Sequence, residues 1–113
     1  MAIPEGAGTE VLKRVTLHDN NASQTEILSG SADHIYTILS IIYCYQQGAA
    51  TYVKIIVNDG SNDIFLVADD AKVPSFGTFV FNDKFVLYED DDLDVYNSGT
   101  KGDWYVSYID QHF

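Results

Sequence analysis

Turn-forming residues interrupt this sequence at intervals of roughly ten positions, the spacing typical of antiparallel sandwiches and barrels. Asn58-Asp59-Gly60-Ser61 contains the Asp-Gly pair of a tight hairpin, and residues 97–102 read Asn-Ser-Gly-Thr-Lys-Gly. Thirteen of the 17 acidic residues are Asp, which favours turns over helix interiors. We therefore expect about eight or nine short strands and no long helix.

The segments between these turns are rich in Val, Ile, Thr, Tyr and Phe, which favour strands. The expected strands cover residues 10–18, 34–45, 52–57, 64–68, 78–81, 85–88, 93–96 and 104–109. Segments 52–57 and 64–68 flank the Asp-Gly pair and predict a hairpin, and residues 69–74 are expected to turn the corner after it. The pattern predicts an all-β fold: a single antiparallel β-sandwich of the jelly-roll kind over residues 10–113, with an extended N-terminal arm over residues 1–9.

The segment 34–45 is apolar on both of its sides. Ile35, Ile38 and Ile42 also fit a helical stripe, but the lack of Ala, Glu and Lys favours a strand. Such a strand suits the middle of a sheet covered on both faces, or a sheet at a subunit contact. Cys44 lies in this segment, and we expect it to be a small buried hydrophobe. As the single cysteine, it excludes internal disulfides and any CxxC motif.

The charge balance excludes several functions. The 113 residues carry 17 acidic and 6 basic side chains, a formal net charge of −11. Nucleic acids and anionic membranes both require a basic face, so neither is an expected partner. The first eight residues lack the charged and apolar regions of a signal peptide, and the longest apolar run is too short for a membrane span. We therefore expect a soluble protein made in a reducing cytoplasm.

The acidic run from Asp90 to Asp94 suggests calcium, but it fails the EF-hand pattern. Val95 stands where that loop needs glycine, and Lys101 where it needs a glutamate. A looser cation site stays open as an alternative, although a solvated turn that resists aggregation is favoured. His18, His34 and His112 lack zinc-ligand spacing, and no G-x-S-x-G or phosphate loop is present. We expect no metal, no cofactor and no catalytic residues.

Aromatic residues make up 13% of the chain, more than the interior of a small sandwich needs. Strand alternation turns some tyrosines partly outward, where their rings favour protein–protein contacts. The arm and the first strand add apolar residues that can lie along a neighbouring subunit. The expected partner contacts are Ile3, Pro4, Val11, Leu12, Tyr36, Tyr52, Tyr96 and Tyr105.

Five segments resemble small β-sandwich virion proteins of tailed bacteriophages, which serve as head-decoration or accessory structural proteins. The segments are HIYTILSIIYCY (34–45), YVKIIVN (52–58), VPSFGTFVF (73–81), FVLYEDDDLDVY (85–96) and WYVSYID (104–110). Two features depart from the family: Asp91 and Asp92 stand where a glycine is common, and no Pro-Ala-Gly follows Tyr36-Thr37. The resemblance covers residues 34–110.

This resemblance implies a non-enzymatic role in virion assembly. The expected function is a capsid decoration or cement protein that binds the major capsid protein or other virion proteins, as a homo-oligomer with a trimer favoured. Because packaged DNA repels an acidic protein, the outer capsid surface is the expected location after synthesis in the host cytoplasm. The alternatives are a tail or head-fibre component that binds a receptor, and a carbohydrate-binding module. In that module, exposed Trp104 and Tyr105 would stack on sugars and the Asp loops would hold Ca²⁺.

Overall fold

The computed structural model describes residues 9–19 and 22–113, and this part of the chain contains nine β-strands and no helix. Eight of the nine strands overlap the β-favouring segments predicted from the sequence. The strands are β1 (Thr9–Asp19), β2 (Thr25–Ser29), β3 (His34–Tyr45), β4 (Thr51–Asn58), β5 (Asp63–Val73), β6 (Thr78–Phe81), β7 (Phe85–Tyr88), β8 (Asp92–Asn97) and β9 (Gly102–His112). In the described residues, no helix is long and apolar enough to cross a membrane.

The strands form two antiparallel sheets. Sheet A has the order β1-β9-β3, and its last position is shared by β6 and β7, which pair with different halves of β3. Sheet B has the order β2-β8-β4-β5. Apart from the β4–β5 hairpin and the divided β6/β7 edge, consecutive strands alternate between the sheets. This is the double Greek-key path of a jelly roll. The prediction of an all-β antiparallel sandwich is confirmed.

The hairpin around Gly60 is present as expected, because Asn58 on β4 pairs with Asp63 on β5. The prediction of a turn at 69–74 is wrong for most of that segment, since β5 continues to Val73. Register shifts at Ile55 let the longer strand stay paired with β4. The five-residue strand β2 was not expected at all.

The core fills the space between the sheets. Its largest fully buried side chains are Trp104 and Tyr43 on sheet A, which pack with ring centroids 4.5 Å apart. Ile55 and Val95 meet them from sheet B, and both are fully buried. The expectation of an exposed Trp104 is wrong, because its indole is only 1% accessible. A sugar-stacking role for this ring is therefore excluded.

Strand β3 lies in the middle of sheet A, and its two sides have different surroundings. Ile38, Ile41 and Tyr43 face the core and are fully buried. Cys44 alternates with Tyr43 and points to the outer side of the sheet, where it is half-buried. The expectation of a buried core cysteine is therefore wrong, since the strand phase turns this side chain away from the core.

Three loops meet at one end of the sandwich and are joined by Gln47. Its side-chain Nε2 donates to Thr100 Oγ1 over 2.9 Å, and its Oε1 accepts from the Thr100 N–H over 3.0 Å. Its backbone carbonyl accepts from the Phe76 N–H and from the Ser75 hydroxyl. The β3–β4, β5–β6 and β8–β9 loops are thus held together at this end.

Candidate functional site

The outer face of sheet A, here called face A, consists of rows of side chains set side by side by the strand register. Cross-strand neighbours share a face, so the register identifies the members of each row. The rows are His18–Asp103–Cys44–Thr78, Thr16–Tyr105–Ile42–Val80, Arg14–Ser107–Ser40, Leu12–Ile109–Thr37–Val86 and Glu10–Gln111–Ile35–Tyr88. We call the Thr16 row and the Leu12 row the apolar rows.

Face A exposes an unusual amount of apolar surface. Leu12 is 72% accessible and Val80 49%, although these residues lie on opposite edges of the sheet. Ile42, in the central strand, is still 37% accessible, and Val86 and Tyr105 are similar. Exposed apolar residues are common when they are isolated, but a contiguous set of them marks an interaction site.

Few charges interrupt this face. The Arg14 guanidinium lies over the Tyr105 ring, 5.7 Å from its centroid, so its charge sits on an aromatic surface. Arg14 and Tyr105 line a shallow groove of about 270 Å³ together with Leu12, Lys13 and Ser107. At one end His18 pairs with Asp103, and Glu10 stands at the other.

The outer face of sheet B, here called face B, has the opposite character. Two of its rows are Ser29–Asp92–Asn58–Asp63 and Glu26–Asp94–Ile56–Phe65. They bring four carboxylates together. Partial desolvation, followed by repulsion from Asp92 and Asp94, raises the pKa of Glu26. Face B is therefore acidic at this end.

Hydrogen bonds from neighbouring side chains orient two of these carboxylates on the surface of the sheet. Ser29 Oγ donates to Asp92 over 2.9 Å, and Asn58 Nδ2 donates to Asp63 over 2.7 Å. The neighbouring hairpin turn is closed in the same way, because Asp59 accepts from the N–H groups of Asn62 and Ser61, which lower its pKa. Within the described ranges, no three His, Cys, Asp or Glu side chains are grouped so as to hold a metal ion.

A charged cluster joins β1, β9 and β3 at one end of sheet A. Asp110 is 5% accessible and accepts hydrogen bonds from Lys13 Nζ and from His34 Nδ1, each over 2.7 Å. Burial acts to raise the pKa of Asp110, but the bonds from His34 and Lys13 outweigh it, so the pKa is lowered. The His34 ring stacks on that of His112 at 4.4 Å. All polar groups of this carboxylate are used in joining strands, which is a structural role.

The expected contact residues fall in different places. Leu12 and Tyr105 lie together on face A. Tyr52 and Tyr96 lie on face B, where the Lys54 ammonium is 4.7 Å from the centroid of the Tyr96 ring. Val11 and Tyr36 lie at the end of sheet A near Asp110, since both residues pair with it across the strands.

Tyr36 on β3 turns inward and packs against Tyr108, and Val11 on β1 pairs with Asp110. Ile3 and Pro4 lie outside the described residues, as do residues 1–8 of the expected arm, whereas Thr9 already begins β1. Sequence reasoning missed Ile42, Val80 and Val86. The two-sided apolar pattern of residues 34–45 was the signal for the first of them.

Comparison with known proteins supports the fold. No protein-family model matches this sequence, and a search of curated proteins finds no significant match. One similar solved structure comes from Bacillus endospore appendages, which form a novel family of disulfide-linked pili. It shares 14% identity at a TM-score of 0.54, and the match covers 100% of this chain and 96% of that one.

A second similar structure is a pentameric capsid protein isolated from metagenomic phage sequences. It has 14% identity and a TM-score of 0.46 over 87% of this chain and 61% of that one. At 14% identity, the pilus structure bears on the fold alone. The pilus structure matches the jelly roll along its whole length.

Proposed function

We propose that this protein is a non-enzymatic structural subunit of a phage virion, which decorates the outer capsid surface and stabilises it by association. Its partners are the major capsid protein or other virion proteins, and further copies of itself. The sandwich is a rigid platform whose unlike faces serve in assembly. This assignment combines the resemblance of residues 34–110 to phage virion proteins with the surface described above.

The observation that carries the proposal is the separation of apolar and acidic surface. Face A offers apolar side chains at Leu12, Ile42 and Val80, and face B concentrates carboxylates around Asp92 and Asp94. A particle filled with DNA repels such an acidic surface, which favours an outer position. Association that buries apolar area between virion proteins, copies of this one included, then stabilises the particle by mass action.

The comparisons agree with an assembly role in general terms. The pilus structure comes from endospore appendages, and its fold is similar to the one found here. The resemblance alone favours a trimer.

The proposal is tested with capsid particles that lack the protein. Purified protein should co-sediment with these particles in a saturable manner, and bound particles should release their DNA at a higher temperature. Deleting residues 2–8 should weaken binding if the arm lies along a neighbouring subunit. Binding that does not saturate, or particles that are no more heat-resistant with the protein bound, would refute the decoration role.

A further inference from the structure

The described residues leave the apolar rows of face A exposed, and we propose that face A of a second copy covers them. The two copies form a twofold pair of sheets packed face to face. The inference rests on the proposed structural role and identifies one of its partners. It follows from the charge, the size and the strand pattern of the face.

Charge selects the second copy as the occupant. A protein of net charge −11 repels its own copies, so two copies approach most readily through a surface with few carboxylates. The two apolar rows and the Arg14 row between them contain no acidic residue. The acids of face B, including Asp92 and Asp94, lie on the opposite side of the sandwich and stay in solvent.

The size of face A matches a stable dimer. Nine residues along β1 and four strands across give about 30 Å by about 20 Å, or roughly 600 Å². Specific interfaces bury about 600–1,000 Å² on each partner, so the pair would use the whole of face A, with Glu10 and Asp103 in its two end rows. Two β-sheets pack face to face with their strands nearly aligned, and a second copy supplies such a sheet.

The position of Arg14 fixes the orientation of the pair. A twofold axis along the strands, between β9 and β3, places β1 of each copy over the β6/β7 edge of the other. Each apolar row then stacks on the same row of the second copy. In this pairing, Arg14 of one copy faces Ser40 and Asn82 of the other copy, which are joined by a hydrogen bond. The two Arg14 side chains therefore do not meet.

The pattern of β3 is explained by this pairing. Its inner residues, such as Ile41, are buried in the core, whereas Ile42 on the outer side remains 37% accessible in a central strand. A central strand that is apolar on both sides is typical of a sheet covered on both faces. Within residues 9–19 and 22–113, only the inner face of this strand is covered.

Sedimentation equilibrium with Leu12→Lys/Val80→Lys tests the pairing. The wild type should sediment as a dimer at micromolar concentration, and the double variant should dissociate at least tenfold more readily. Both new lysines lower the net negative charge, so general repulsion cannot explain the loss. Phe65→Lys is the matched control, because Phe65 is an equally exposed apolar residue on face B, and it should leave the dimer intact.

Cys44 provides a second readout, since it lies in a row of face A and is the single cysteine. Its reaction with a maleimide should slow as the wild-type concentration rises, and should not depend on the concentration of Leu12→Lys/Val80→Lys. Melting temperatures close to that of the wild type would show that the variants are folded. Accessibility of Cys44 that is the same at all wild-type concentrations would overturn the pairing.

These outcomes are distinct from failure of the proposed function. A wild-type monomer at high concentration that still saturates capsid particles overturns the pairing and leaves the decoration role intact. If the wild type is monomeric and binds particles but Val80→Lys does not bind them, face A is assigned to the capsid instead. A face A dimer that does not bind particles supports the pairing and refutes the decoration role.

Discussion

The indole Nε1 of Trp104 on β9 donates a hydrogen bond to Oδ1 of Asn97 on β8 over 3.3 Å, and this bond crosses the core from one sheet to the other. Both residues are almost inaccessible to solvent. Asn97 also donates to the backbone carbonyl of Gly99, so its amide is held in place. The core is thus fixed by a polar contact as well as by apolar packing.

We expect Asn97→Ala to lower the free energy of unfolding by about 1–3 kcal/mol, because the buried indole N–H loses its acceptor. Trp104→Ala should cost about 3–5 kcal/mol through the cavity that it leaves. In a Trp104→Phe background, Asn97→Ala should cost less, since the donor is already absent. Urea denaturation of the wild type, Asn97→Ala, Trp104→Phe and the double variant gives the coupling free energy between the two residues. Strictly additive changes in the free energy of unfolding would contradict a specific bond.

Asp110→Asn should reduce stability at pH 7 by about 1–3 kcal/mol, because Lys13 loses its charged partner. The pKa of Asp110 is lowered in the folded protein, so its carboxylate contributes stability that is fully present above the ordinary pKa of 3.8. This contribution is lost as the pH falls through the lowered pKa, and the variant and wild type should converge there.

Urea midpoints between pH 7 and pH 2 measure the convergence. Asp103→Asn is the matched control, since Asp103 pairs with His18 at a far more exposed position. It should change stability by no more than about 1 kcal/mol. A difference between Asp110→Asn and wild type that stays constant down to pH 2 would contradict the assignment.

Glu26→Gln should stabilise the protein at pH 7 by about 0.5 kcal/mol, because it removes a carboxylate repelled by Asp92 and Asp94. The pKa of Glu26 is raised in the folded protein, so its ionised form is the disfavoured one. The gain is therefore full at neutral pH and disappears below the ordinary pKa of 4.5, where Glu26 is protonated in both states. Thermal unfolding at pH 7 and pH 3.5 measures it, and Glu10→Gln controls for the change in net charge.

Gly30→Ala should destabilise the protein by about 2–3 kcal/mol, because a Cβ at this position would collide with the backbone carbonyl oxygens of Glu89 and Asp91. The close approach is maintained by a hydrogen bond of 2.8 Å from the Gly30 N–H to the Asp91 carbonyl. Gly48→Ala is the control: a Cβ there has no neighbour within 4 Å. Equal melting temperatures for the two variants would contradict the steric argument.

Local chemistry explains which strands were predictable. The turn before β5 follows from Asp59 and Gly60, because the Asp59 side chain closes it through bonds to Ser61 and Asn62. β2 escaped prediction because it has five residues, of which Ile27 and Leu28 alone are apolar. The continuation of β5 escaped prediction because the Asp69-Asp70 pair is typical of turns, whereas pairing with β4 holds that segment extended.

The phase of a strand was the harder problem. In β9, Trp104, Val106 and Tyr108 alternate with Tyr105, Ser107 and Ile109, and the composition does not tell which set is inside. A shift of one residue exchanges the two faces of a strand, and the pattern fixes the phase only where one side is clearly polar. This ambiguity led to the wrong expectations that Trp104 is exposed and that Cys44 is buried in the core. It is itself a consequence of the apolar outer surface of sheet A.

Gln47 has a consequence for the way this end of the molecule opens. Its backbone and side chain hold two neighbouring loops, so the amides of Phe76 and Thr100 both depend on its position. Release of either amide requires movement of the same residue. Hydrogen exchange at these two amides should therefore occur in a single cooperative opening, with one common protection factor for two loops that are far apart in the chain.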